Sequence, residues 1–127
     1  MCTGNSCRSI IAQALIDRYL DGVIAYSCGT APSGRVNPNA KSILEQNSCW
    51  QDGYYSKHID EVIDIDFDLV ITVCNSAKES CPIFPKPTPK LHIPFRDPDG
   101  EEFKVFIDTY SEIREVLLPK VKLALSK

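Results

Sequence analysis

What this sequence lacks narrows it first. No unbroken apolar run exceeds five residues, too few for a helix to cross the roughly 30 Å apolar layer of a bilayer. No basic stretch leads into an apolar one at the start, so no secretory leader is expected. There is no internal repeat, no low-complexity tract and no block of like charge, which predicts one ordinary domain over residues 1–127. Excess positive charge is also missing. Fourteen Lys and Arg against 17 Asp and Glu leave a net charge of −3, which argues against a nucleic-acid or membrane-surface partner but leaves room for a local anion pocket. Cysteine, by contrast, is plentiful at six residues. In a secreted chain these would suggest three disulfides. In a reducing cytoplasm, the location expected here, clustered cysteines are more often catalytic, redox-active or metal-binding.

The periodicity alternates between helix and strand. Arg8 to Leu20 places Ile11, Ala14, Leu15 and Tyr19 near helical spacing without Gly or Pro, and Asp21-Gly22 ends it. Val23 to Cys28 reads as a buried strand closed by Gly29. Asn37 as cap and Pro38 at the first position start a helix running to about Gln46. His58 to Ile63 reads as a short helix. Leu69 to Val73 is the strongest strand, and Leu91 to Phe95 a weaker one after a proline-rich loop. A long amphipathic helix from Phe103 to Leu125, bent at Pro119, closes the chain. Alternating strands and helices predict an α/β fold with a parallel sheet.

Residues 2–9 read Cys-Thr-Gly-Asn-Ser-Cys-Arg-Ser, immediately before the first helix. A loop of this size can wrap a tetrahedral oxyanion with successive backbone N–H groups, and the helix N-terminus adds its positive dipole end. The substrate-binding residues expected are Thr3, Gly4, Asn5, Ser6, Cys7, Arg8 and Ser9. Gly4 lets the backbone approach, Asn5 tolerates a left-handed conformation, and Arg8 grips two oxygens at once. The same field favours a thiolate at Cys2, to which Ser9 can donate its hydroxyl. The plain alternative is a turn with two buried thiols and a solvated arginine.

The loop resembles that of the low-molecular-weight protein tyrosine phosphatase family, most of all its branch of thioredoxin-coupled arsenate reductases. The resemblance extends over Tyr26-Ser27-Cys28-Gly29-Thr30, Val36-Asn37-Pro38, Leu69 to Pro82, and Phe95-Arg96-Asp97-Pro98. It implies a three-layer α/β/α fold on a four-stranded parallel sheet, with the anion loop at the carboxyl end of the first strand. It also gives a use for Cys74 and Cys81, seven residues apart and just past the strongest strand. Cys2 attacks arsenate to form a covalent adduct. Cys74 then attacks the Cys2 sulfur and releases arsenite, and Cys81 moves the disulfide outward, where thioredoxin reduces it. A buried free thiol at Cys74, or half of a zinc site, are the competing readings. His58 and His92 lack the spacing for zinc, and no metal or other cofactor is expected.

Protonating the departing oxygen needs an acid. Asp97 matches the family's acid, with Asp99 as its neighbouring competitor, although Asp-Pro-Asp-Gly is also an ordinary turn. The tyrosine pair that usually follows the Asp-Pro in phosphatases of this family is replaced by Asp99-Gly100, which disfavours a phosphotyrosine pocket. The expected substrate is therefore arsenate, with phosphate or sulfate as analogues and thioredoxin as reductant. The alternative is a protein tyrosine or small phosphate-ester phosphatase using Cys2, Arg8 and Asp97. Gln13 stands where similar reductases carry a glutamate that helps to bind potassium. Cys7 is expected to be structural, and Cys28, Cys49, His92, Trp50, Tyr54 and Tyr55 to be packing residues.

One further expectation concerns Met1. The resemblance places about six apolar residues, forming a central strand, before the nucleophile. Without them the strand at 23–28 and the strand at 69–73 face each other across a gap, so the first strand is expected to be cut short and Met1 to be an internal methionine of a longer chain.

Overall fold

The computed structural model describes residues 1–75 and 83–126. Cys81, one of the predicted redox pair, lies outside the described residues.

Helix α1 (Arg8–Tyr19) is the centre of the molecule. Every residue from Arg8 to Ile16 is buried, because α2 and α3 pack on it from one side and the sheet region closes the other. It ends where Leu20 turns extended and Gly22 takes φ +77°. α2 (Pro38–Gln46) starts as expected: the Asn37 side chain accepts the Asn39 N–H at 2.8 Å and proline fills the first position. α3 (Phe103–Leu125) lays Phe106, Tyr110, Ile113, Leu117 and Val121 into the core at three- and four-residue spacing, and carries Pro119 on its exposed side. The span predicted for His58 to Ile63 shortens to one 3-10 turn, Ile59–Glu61. His58 caps it, its ring nitrogen accepting the Asp60 N–H at 3.1 Å.

The sheet is parallel. β1 (Val70–Thr72) pairs with β2 (Lys90–His92) in the register Val70 to Lys90. Both strands are shorter than the spans read from sequence. On the far side of β1 a two-residue stub takes the next place. The Met1 amine donates to the Ile71 carbonyl, the Met1 carbonyl accepts the Val73 N–H at 3.0 Å, and Cys2 N–H reaches Cys28 O at 3.3 Å. Cys2 bridges Gly29, and Gly29 bridges His58, each in parallel sense.

The strand predicted at Val23 to Cys28 does not form. A strand exists only as a paired ladder, and among the described residues, residues 23–28 meet a backbone partner at their carboxyl end, where the stub reaches them. Above the stub lies a cavity of about 1050 Å³, bordered by Val23, Ala25 and Tyr26 on one side and by Leu69 and Ile71 on the other. Its floor is Gln13 and Ile16 of α1, and Val121 of α3 adds to its wall. Among the described residues, β1 and β2 are the two strands formed.

Candidate active site

The loop from Cys2 to Cys7 owes its shape to where its carbonyls go. Thr3 O accepts from Ala31 N–H and Gly4 O from Ser33 N–H, each at 3.0 Å, and Ser6 O accepts from Asn37 N–H at 3.0 Å. Cys7 O begins α1 by accepting from Ile11 N–H at 2.9 Å. Each carbonyl is thus tied outward. In a planar trans peptide the following N–H points the opposite way, so the amides of Gly4, Asn5, Cys7 and Arg8 turn into the loop. No side chain caps α1 at Cys7, which leaves the dipole end of a 12-residue helix aimed at the same point.

Asn5 sits at φ +45°, the left-handed conformation foreseen for it. Its side chain is fully buried and bonded at both ends. Nδ2 donates to Ser9 Oγ at 2.7 Å, and Oδ1 accepts the Lys57 N–H at 2.8 Å. Ser9 Oγ lies 3.1 Å from Cys2 Sγ, so the serine anticipated as a donor to Cys2 is in place. At Gly4 a Cβ would make only ordinary contact with Ser6, so no neighbouring protein atom demands a glycine there. The glycine demanded by close approach is Gly29, where a Cβ would fall on the Thr3 carbonyl oxygen and lie 2.8 Å from that of Cys2.

Cys2, Gly4, Ser6, Cys7 and Arg8 share a pocket of about 130 Å³ with Ser33, Asp97 and Asp99. Arg8 is buried, with one terminal nitrogen donating to Phe95 O at 3.2 Å and the other 3.6 Å from Asp97 Oδ2. Asp97 is half exposed and lines the pocket beside Arg8. Asp99 lies beside it. Its N–H donates to Asp97 Oδ1 at 3.0 Å, and its Oδ1 accepts from Asn37 Nδ2 at 2.8 Å. Burial pushes the Cys7 thiol up to about 12, so it stays protonated and serves the loop as a neutral packing group.

Cys74 lies two residues past the end of β1 and is fully buried. Cys2, Cys7, Cys28 and Cys49 are free thiols. Gln13 accepts the Ser27 hydroxyl at 2.6 Å and donates to Ala25 O at 3.1 Å, committing both ends of its amide to protein atoms. Among the described residues there is no group of three or more His, Cys, Asp or Glu able to hold a metal. No helix among them is long and apolar enough to cross a membrane.

Three contributors escaped the sequence reading. Ser33 and Asn37 come from a loop and a helix cap that carry only local structural signals. Lys57 is buried, and desolvation pushes its ammonium down. Only the folded register shows that its backbone N–H holds Asn5.

A loop that turns its amides onto one point, closes on a buried arginine and keeps a free cysteine at its first residue defines a thiol-based oxyanion enzyme. The chain belongs to the low molecular weight phosphotyrosine protein phosphatase family, whose model matches residues 1–115. Within that family it is similar to an arsenate reductase of Bacillus cereus, 40% identical over 116 residues, or 91% of this chain and 86% of that one. Among solved structures it is similar to an arsenate reductase from Archaeoglobus fulgidus, with a TM-score of 0.80 at 29% identity over 90% of each chain. It is also similar to a thioredoxin-dependent arsenate reductase from Corynebacterium glutamicum, with a TM-score of 0.67 at 25% identity, over 97% of this chain and 60% of that one.

Proposed function

We infer that the protein is a cytoplasmic, single-domain arsenate reductase that uses thioredoxin as its reductant. One observation carries the reading furthest: Cys2 is a free thiol at the foot of an anion loop whose residues share a pocket of about 130 Å³ with the buried Arg8 and with Asp97. Reducing arsenate to arsenite takes two electrons, and two thiols becoming one disulfide supply both.

The cycle begins with all three thiols reduced. The Cys2 sulfur bonds to arsenic while Asp97 gives its proton to a departing oxygen, which leaves as water. Arg8 and the inward amides hold the remaining oxygens. Cys74 then attacks the Cys2 sulfur. The sulfur–arsenic bond breaks, its electron pair leaves on arsenic, and arsenite departs. Cys81 attacks Cys74, restoring the Cys2 thiolate and forming the Cys74–Cys81 disulfide that thioredoxin reduces by exchange. Because the first step needs only Cys2, Arg8 and Asp97, some phosphate-ester hydrolysis is expected from the same pocket. The same loop, arginine and acid support a phosphatase as the second reading.

The deciding experiment follows NADPH consumption driven by arsenate with thioredoxin and its reductase. Cys2→Ser should abolish it together with ester hydrolysis. Cys81→Ser should allow a single turnover, trap a Cys2–Cys74 disulfide visible by peptide mapping, and retain ester hydrolysis. Undiminished steady-state cycling in Cys81→Ser would exclude the relay.

A further inference from the structure

Asp99 is a charged residue of the pocket with no place in the cycle above. Its carboxylate lines the same 130 Å³ space as Cys2 and Arg8, yet the acid role falls to Asp97, which is the carboxylate beside Arg8. Asp99 is nevertheless fixed. Asn37 Nδ2 donates to its Oδ1 at 2.8 Å, its own N–H is bonded to Asp97 Oδ1 at 3.0 Å, and the Cys7 thiol lies 3.9 Å from the same Oδ1. Asn37 is itself immobile, because its other side-chain atom caps α2 and its N–H holds the Ser6 carbonyl. Gly100, at φ +81°, turns the chain away immediately afterwards.

We propose that Asp99, pinned by Asn37, is the specificity residue that admits free tetrahedral oxyanions and turns away aryl phosphate esters. The proposal rests on the oxyanion-reductase reading and names the substrate class the pocket rejects. A free oxyanion fills the loop and leaves Asp99 in water. The organic group of an ester has to leave the pocket over its rim, and there an aromatic ring would cover a carboxylate. Burying that charge against a ring costs its hydration, with no new partner to replace it. Asp99 cannot swing aside without stripping the Asn37 amide of its acceptor. The rim thus discriminates by what surrounds the anion rather than by its charge.

The test compares p-nitrophenyl phosphate hydrolysis with inhibition by inorganic phosphate in the full chain. Asp99→Ala removes the carboxylate. Asn37→Asp retains the helix cap but replaces the amide donor with a charge that repels Asp99. In both variants kcat/KM for the ester should rise about tenfold, the size of effect expected when one charged group no longer has to be desolvated. The inhibition constant for inorganic phosphate should change by less than about threefold. An equal change in both measurements would reduce Asp99 to a general charge effect and overturn the proposal. A fall in ester hydrolysis would make Asp99 the acid instead, and no change in either variant would remove it from the rim. A rise in only one of the two would break the link between Asn37 and Asp99. Failure of the wild-type chain to reduce arsenate would sink the reductase reading while leaving the ester comparison fully interpretable.

Discussion

Ser9 receives the Asn5 amide on the same oxygen that faces the Cys2 sulfur. A thiolate can only accept, so in the reactive state the hydroxyl proton belongs to the sulfur and the Asn5 amide holds the oxygen in line. A hydrogen bond to a charged group is worth about 1.5–3 kcal/mol. Ser9→Ala should therefore slow alkylation of Cys2 by iodoacetamide at neutral pH, and the first turnover, by roughly ten- to a hundredfold. An unchanged alkylation rate would show that Ser9 does not serve the sulfur. At this scale much of the site was legible. The loop residues, Arg8 and the left-handed Asn5 follow from local chemistry. Gly29 was not legible as the tightly packed glycine, because the carbonyls that exclude a Cβ belong to residues 26 and 27 positions earlier in the chain. Asn37 showed its role as a cap but not its second bond to Asp99, 62 positions away.

Helices were read better than strands for the same reason. α2 and α3 begin and end where caps and periodicity put them, since a helix satisfies its backbone within itself. Residues 23–28 have the composition of a strand, but pairing is supplied by another part of the chain and no local pattern guarantees it. Within α3, Pro119 has no N–H to offer the carbonyl of Glu115, and its side chain is exposed. A proline inside a helix costs about 3 kcal/mol, and up to about 1 kcal/mol of that is offset by the stiffness it gives the unfolded chain. Pro119→Ala should thus stabilise the protein by about 2 kcal/mol, read as a higher urea midpoint at unchanged slope. No gain would mean that the helix has already relaxed around the proline.

Taken as a whole, the molecule buries protonated groups that its unfolded chain would titrate. Cys7 is pushed up to about 12 and Cys28 is also raised, chiefly by burial. Their contribution to stability is complete below the ordinary thiol range. It is lost as pH rises through the folded values, because the unfolded chain gives up these protons first. Urea midpoints should accordingly fall from about pH 9 upward, and a flat alkaline limb would contradict the burial of these thiols. The cavity beside β1 has a different consequence, one of kinetics. Ile71 turns its carbonyl toward the Met1 stub, and in a strand the N–H of the same residue points to the same side, here into open space. Val73, two residues on, gives its N–H to Met1. In deuterated water the Ile71 amide should exchange far sooner than that of Val73. Slow exchange at both would mean that something already occupies the space beside β1.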